Sequence, residues 1–238
     1  MRTNKARELL ASRMGPTTQR FDAGCGGGRP ELTTQDIAAA LAYVPDGLGR
    51  ELLEVLWWPE SAARRREHLR KAVIGLVAPE FIQQMHGLAT ARTEFGIAKA
   101  SIGWGGGPVT DMQRRELRRA ESALDEARAA AWPNNTMEQL GVLASAVIEE
   151  MASCGCCKAC DGLRIQSAPE GGGVVECEAC GGMGLEQLSG RKRAAAIGAD
   201  KSAYQRFWQP VYEWMLDRMR SAEHVAAESL SSALNRAA

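Results

Sequence analysis

The chain has 238 residues, with 29 basic and 29 acidic side chains, and 45% of its residues are hydrophobic. Because the formal net charge is zero, the field of the whole chain predicts no class of partner. No apolar run approaches the length of a membrane span, and the polar N-terminus lacks the apolar core of a signal peptide. We therefore expect a cytoplasmic protein of one large or two small domains, with no membrane partner.

The N-terminal part of the chain is predicted to be a flexible tail followed by helices. The tail covers residues 1–30, where four glycines follow a basic leader. Residues 31–131 are predicted to be a helical region whose role the sequence does not reveal. Its first helix is predicted to begin at Thr33, with Asp36 at the capping-box position. A second helix is predicted to end before Pro59.

Proline and glycine mark the next predicted boundaries. Pro79 is predicted to separate a third helix, over about 60–77, from a fourth helix that fades near Gly87. The glycine-rich run at 103–108 (GWGGGP) is predicted to be a loop.

Two further helices are predicted from capping signals. Thr110 with Gln113 forms a capping box before a strongly charged helix that runs to about Ala131. Thr136 with Gln139 caps the next helix, which leads into the cysteine-rich segment. The apolar stripe of that helix, interpreted as a core face, contains Met137, Leu140, Val147 and Ile148.

Six of the seven cysteines lie between residues 154 and 180, and four of them form two Cys-x-x-Cys hooks, CKACDG and CEACGG. This spacing predicts one closed site for a single Zn²⁺ ion, with no coordination position left for a substrate. Gly162 and Gly182 follow the hooks, where the chain is expected to turn back. The predicted ligands are Cys157, Cys160, Cys177 and Cys180.

The span between the hooks predicts a small two-stranded ribbon. Val174 and Val175 suit a strand, and the glycines at 171–173 suit its tip. Two other interpretations stay open: inert thiols in a reducing compartment, and a redox Cys-x-x-Cys pair. Cys154 and Cys156 are interpreted as spectators.

Residues 190–209 fit a helix-turn-helix template. Ala194 is the small residue where two helices would meet, Gly198 lies at the turn, and Tyr204 points inward from the second helix. The segment contains five basic residues and one acidic residue. Arginine and glutamine side chains can each form two hydrogen bonds with the edge of one base. The candidate DNA-binding residues are Arg191, Lys192, Arg193, Lys201, Ser202, Gln205, Arg206 and Gln209.

The second helix of this template is predicted to begin near Lys201 and to bury Tyr204, Phe207 and Val211. Pro210 is predicted to kink or restart it, and a final helix is predicted over 223–235. The alternative to DNA binding is a helical hairpin packed on the zinc ribbon, with a solvated basic rim.

The sequence contains no constellation that indicates catalysis. The three histidines are scattered, and the GWGGGP run lacks the Lys-Ser/Thr of a phosphate-binding loop. We therefore expect neither an enzyme nor a small-molecule substrate.

From about Met137 to Asn235, the order of motifs resembles the lambda-type Q proteins, the late-gene antitermination factors of tailed bacteriophages. LGVLASAVIEEM leads into CKACDG and CEACGGMG, and then come RKRAAAIGA, YQRFWQPVYEWM and a polar last helix. The resemblance covers about 100 of the 238 residues. A weaker similarity lies in LTTQDIAAALAYV, and residues 45–130 have no counterpart in the family that we can identify.

This resemblance implies a protein of the bacterial host cytoplasm that binds double-stranded DNA within a late promoter. It also implies loading onto RNA polymerase that still holds its sigma factor, near the β flap, followed by terminator read-through. The implied metal ligands are the four hook cysteines. The residues implied to face DNA are Arg191, Lys192, Arg193, Lys201, Gln205 and Arg206.

The predicted fold is therefore mainly α, with a small four-cysteine zinc β-ribbon between helices and a C-terminal helix-turn-helix, both within residues 132–238. Two alternatives to antitermination stay open. One is a zinc-stabilised helix-turn-helix regulator without antitermination activity, and the other is a chaperone-like module that grips unfolded chains with its zinc hooks.

Overall fold

The computed structural model describes Ala6, Leu10 and residues 33–103, 108–153, 157, 159–160, 165–167, 173–180 and 188–237. These residues form a mainly helical protein, as predicted. Several predicted features lie outside the described residues: most of the N-terminal tail, Cys25, the loop positions 104–107, Cys154, Cys156, Gly162, positions 171–172 of the ribbon tip, and Gly182.

The elements follow one another along the chain as helices interrupted by one small sheet. Two three-residue strands, β1 (Ile165–Ser167) and β2 (Val174–Glu176), pair antiparallel with Ile165 opposite Glu176, so both predicted strand valines lie in β2. The helices are α1 (Thr34–Ala42), α2 (Leu48–Trp57), α3 (Pro59–Gly103), α4 (Asp111–Ala130), α5 (Thr136–Ser153), α6 (Gly190–Ala196), α7 (Lys201–Ala203) and α8 (Gln209–Ala237), with a π-helical turn (Tyr204–Trp208) between α7 and α8.

The chain divides into two compact units, one formed by residues 1–73 with 141–238 and the other by residues 74–140. These units differ from the predicted regions, whose boundary lay between residues 131 and 132. The reason is that α1 and α2, from the predicted N-terminal region, pack against the C-terminal helix α8.

The first unit has an aliphatic core between α1, α2 and α8. Complete burial of one such side chain stabilises a fold by about 1.5–3 kcal/mol. The Trp57 indole N–H also donates to Glu223 at 2.9 Å, which joins α2 to α8. The core residues include Leu10, Ile37, Leu41, Val44, Leu53, Ala227, Leu230 and Leu234.

Helix α2 approaches α8 closely at Gly49. A Cβ atom at this position would fall on the carbonyl oxygen of Ala222 and would lie 3.2 Å from the Cβ of Ala226. The contact therefore depends on the absence of a side chain at Gly49.

The second unit contains a helical hairpin made by the later part of α3 and by α4. Leu88, Ala91 and Leu124 are buried between the two helices. The Gln113 amide donates to the carbonyl of Ser101 at 3.0 Å near the connection between the helices. At the opposite end the Trp132 N–H donates to the Gln84 side chain at 3.1 Å, so the two helices run antiparallel.

Two predicted capping boxes are confirmed. In α1 the Thr33 hydroxyl accepts from the Asp36 N–H at 3.2 Å, and the Asp36 carboxylate accepts from the Thr33 N–H at 2.8 Å. Thr110 and Gln113 make the same reciprocal pair at the start of α4. The predicted cap at Thr136 is wrong, because α5 begins at that residue and its hydroxyl donates to the Pro133 carbonyl.

Two predicted helix breaks are wrong. Pro79 lies inside the continuous helix α3. Because proline has no N–H, the carbonyl of Gly75 loses its helical hydrogen bond. Gly75 is exposed, so water can reach this carbonyl. The predicted separate helix over 223–235 is part of α8, which continues through Pro210. The π-helical turn immediately before Pro210 changes the hydrogen-bond pattern there, with the Gln209 N–H donating to the Tyr204 carbonyl.

Candidate metal centre and basic helical pair

The four hook cysteines come together in one buried cluster. Cys157, Cys160, Cys177 and Cys180 are at most 6% exposed, and none of them forms a disulfide. Their sulfur atoms all lie within 4.8 Å of one another. The sulfurs of Cys157 and Cys177 are 3.9 Å apart, and those of Cys160 and Cys180 are 3.8 Å apart.

These distances fit a tetrahedral metal ion. Four thiolates at the usual Zn–S distance of about 2.3 Å have sulfurs about 3.8 Å apart at the corners of a tetrahedron. A disulfide would need sulfurs about 2.05 Å apart. The predicted cysteine set is therefore confirmed as a possible metal site, and its donor chemistry is that of a closed structural centre.

Local backbone structure positions the cysteines. The Cys160 N–H donates to the Cys157 carbonyl at 3.3 Å, which forms the turn of the first hook. Cys177 directly follows β2. The Gln166 side chain in β1 donates to the carbonyl of Ala159 at 2.6 Å, and this bond ties the strand to the first hook.

Two helices with a tight turn follow the cysteines. The Ser189 hydroxyl caps α6 by accepting from the Lys192 N–H. Gly198 lies between the helices at φ 69°, a left-handed conformation that favours glycine. Asp200 caps α7 by accepting from the N–H groups of Ser202 and Ala203 at 2.8 and 2.9 Å.

Three of the four residues predicted to face inward, Ala194, Tyr204 and Val211, are buried. Ala194 is 2% exposed and Tyr204 is 1% exposed, so both small and aromatic positions are buried. Val211, which follows two turns after Tyr204, is also fully buried.

Most of the candidate DNA-binding residues are exposed on this helical pair. Gln209 is half-buried, and its amide donates to Glu213 at 2.9 Å. The exposed residues are Arg191, Lys192, Lys201, Ser202, Gln205 and Arg206.

The prediction that Arg193 faces DNA is wrong, because its side chain is buried in an ion pair. Arg193 is 6% exposed and donates to both carboxylate oxygens of Glu150 on α5, at 2.8 and 2.7 Å. A further nitrogen lies 3.4 Å from Glu213. The guanidinium also lies 5.4 Å from the ring centre of Tyr212.

Glu150 is the centre of this buried group. It is fully buried, accepts from the Tyr212 hydroxyl at 3.0 Å and lies 3.6 Å from Arg220. Burial, followed by the charge and hydrogen bond of Glu150, raises the pKa of Tyr212 far above its ordinary value. Burial alone would lower the pKa of Arg193, but the hydrogen bond and charge of Glu150 outweigh it and raise that pKa.

The spacing of apolar residues along α5 indicates that Glu150 is buried. Leu143, Ala146 and Val147 are buried on one face of α5, and Glu150 continues that face at the helical spacing. A carboxylate at a core position requires a cationic partner, because an isolated buried charge is strongly unfavourable.

The prediction that Phe207 is buried is also wrong, since 51% of it is exposed. Phe207 lies in the π-helical turn between Tyr204 and Trp208. A π turn contains more residues than an α turn, so the third residue after Tyr204 rotates farther from the buried face.

No protein-family profile, curated protein or solved structure matches the chain. Among the described residues, no helix combines the length and apolar character that crossing a bilayer requires.

Proposed function

We propose that this protein is a zinc-stabilised helix-turn-helix factor that binds double-stranded DNA and acts in transcription antitermination. The observation that carries the proposal is a set of six exposed polar residues on α6 and on the helical segment that follows the tight turn at Gly198. In this proposal the face of Arg191, Lys192, Lys201, Ser202, Gln205 and Arg206 enters the major groove of DNA.

The proposed zinc ion has a structural role. The residues that would hold it are the four buried cysteines, and their tetrahedral spacing supports zinc as the metal. The short antiparallel sheet that precedes Cys177 would then be the zinc ribbon. When bound, the metal would cross-link two hooks that lie twenty residues apart.

The antitermination activity rests on the order of motifs described above. Such a factor would bind a late-promoter element and a bacterial RNA polymerase holding its sigma factor, near the β flap. Its effect would be physical, because a terminator hairpin cannot act if it cannot form in the RNA exit channel.

The first experiment measures DNA affinity as a function of salt concentration. Because Arg206 is proposed to contact a base, three exposed basic residues remain to neutralise one phosphate each, and they give a log–log slope of about −2.7, at about −0.9 per contact. A flat salt response would contradict DNA binding by this face. The three residues are Arg191, Lys192 and Lys201.

A matched pair of variants tests the face itself. Arg206→Ala should weaken binding to the preferred sequence by about 1–3 kcal/mol and relax its specificity. Arg236→Ala, at an exposed position in the last turn of α8, should leave both unchanged. Equal effects of the two substitutions would remove Arg206 from the proposed interface.

Transcription with purified RNA polymerase separates the proposal from a simple DNA-binding regulator. The protein should co-purify with polymerase and increase read-through of a terminator downstream of its binding site. DNA binding without a change in read-through would leave the regulator alternative.

One observation favours the chaperone-like alternative. Ile165 and Val174, at opposite ends of the paired strands, are 47% and 66% exposed and could contact an unfolded chain. That function predicts suppression of aggregation and no salt-dependent DNA affinity. If Ile165→Ser and Val174→Ser abolish activity while DNA affinity is absent, the chaperone-like function is favoured.

A further inference from the structure

The exposed ring of Phe207 is an unusual feature of the second helix of the pair. The α-helical spacing from Tyr204 predicts that Phe207 faces the core, but half of its surface is exposed to solvent. Its flanking turn residues are ordered, because Tyr204 and Val211 are both buried and hold the helix on each side. Phe207 is therefore presented from a rigid element, and π turns within helices are frequently found at functional sites.

The surroundings of this ring are polar and basic. The Arg206 guanidinium carbon lies 5.8 Å from the centre of the Phe207 ring, and Arg206 is itself exposed. Ser202, about one turn earlier, and Gln205, two residues earlier, are also exposed. The acidic residue Asp200 is occupied in capping α7.

This arrangement favours an anionic partner that also offers a small apolar group. A single exposed ring is not a large apolar patch of the kind that marks a protein interface. In the major groove, the 5-methyl group of thymine is the apolar feature of a base pair, and phenylalanine is among the side chains that contact it. Arginine beside it suits the acceptor atoms of guanine.

We infer that Phe207 is a specificity-determining residue that contacts the 5-methyl group of a thymine, next to the base that Arg206 contacts. The inference rests on the proposed DNA binding and adds a base preference to it. The π-helical turn supplies the required orientation, because it brings Phe207 out beside Arg206 instead of into the core.

The test begins with selection of duplexes from a random pool by the full-length, zinc-loaded protein. Each thymine of the selected site is then replaced by uracil, which removes only the methyl group. One such replacement should weaken binding of the unchanged protein about fourfold, as expected for one methyl-sized group removed from an apolar contact.

Phe207→Ala should bind the thymine and uracil duplexes equally. Tyr43→Ala, which removes a 75% exposed aromatic ring outside the helical pair, should keep the full thymine preference. If Phe207→Ala does not fold, the uracil scan of the unchanged protein still tests the inference, because the absence of any uracil effect refutes the thymine contact.

Three results would overturn the inference in distinguishable ways. If no duplex is enriched, both the DNA-binding proposal and the thymine contact fail. If a site is enriched but no uracil replacement matters, or Phe207→Ala retains the preference, the thymine contact alone fails. If Phe207→Ala reduces capture of RNA polymerase without changing base preference, the ring contacts protein.

Discussion

Replacing Arg193 by methionine should destabilise the fold, because it leaves the carboxylate of Glu150 in the interior without its bidentate partner. Removing one member of a buried ion pair typically costs about 3–5 kcal/mol. Glu150 would retain the Tyr212 hydroxyl at 3.0 Å and Arg220 at 3.6 Å, so we expect the lower end, about 3 kcal/mol. Because the net stability of a domain is about 5–15 kcal/mol, this is a large share.

Thermal unfolding of the full-length protein, followed by far-ultraviolet circular dichroism, measures the effect. For a chain of this length, about 3 kcal/mol corresponds to a fall of about 6–12 °C in Tm. Arg191→Met is the matched control, since Arg191 is exposed two positions earlier on the same helix. Surface substitutions of this kind change stability by about 0.5 kcal/mol or less.

Equal melting temperatures for the two methionine variants would refute the burial and pairing of Arg193. A double variant gives a second check on the physical reason. Glu150→Leu with Arg193→Met removes both charges, so it should be more stable than Arg193→Met alone. A double variant that is less stable than the single one would show that lost packing, or the Arg220 charge left without Glu150, outweighs the gain from removing the unpaired carboxylate.

Three further predictions follow from the metal centre, the core and the first cap. Cys177→Ser should lose the proposed zinc ion and unfold residues 150–238, because a structural zinc ion contributes about 10–16 kcal/mol. Metal analysis and circular dichroism measure the two effects. Gly49→Ala should lower the free energy of unfolding by about 1–3 kcal/mol, because the added Cβ collides with α8. Gly87→Ala is the control: its Cβ has open space, so it should stabilise α3 by about 1 kcal/mol. Equal changes in Tm for the two variants would contradict the close approach of α2 to α8. Side-chain and backbone hydrogen bonds from Thr33 lower the pKa of Asp36 below 3.8, so the stability it contributes is present above that pH and is lost as the pH falls through the lowered value. Thr33→Ala removes the hydroxyl but keeps the backbone N–H, so it should raise this pKa part of the way toward its ordinary value in an NMR titration, and an unchanged pKa would exclude the hydroxyl as a cause.

Features set by short-range chemistry could be predicted from the sequence. The caps of α1 and α4 depend on side chains three residues apart, and the cysteine cluster depends on two hooks of fixed spacing. Gly198 was predictable for the same reason, because the turn conformation itself requires a residue without a side chain.

Features set by distant partners could not be predicted in the same way. Arg193 lies in a basic run that is typical of a solvated surface, and its partner Glu150 is 43 residues away in the sequence. Pro79 satisfies the usual rule for a helix break, yet α3 continues through it. Phe207 follows the α-helical spacing, and only the π turn before Pro210 rotates it outward. In each case a local rule was overridden by the surrounding helical structure.

The metal centre lies within the loop of chain that the Glu150–Arg193 ion pair closes. The metal can therefore stabilise the ion pair by shortening this loop, and the size of that effect is limited. Without metal, the ion pair closes a loop of 43 residues. With the hooks joined, the path shortens to the seven residues before Cys157 and the thirteen after Cys180, roughly half the length. Halving a loop is worth only about 0.6 kcal/mol, or roughly a threefold change in an equilibrium. A larger loss of DNA affinity on chelation must therefore come from unfolding that spreads beyond the cysteine segment, and not from loop closure alone.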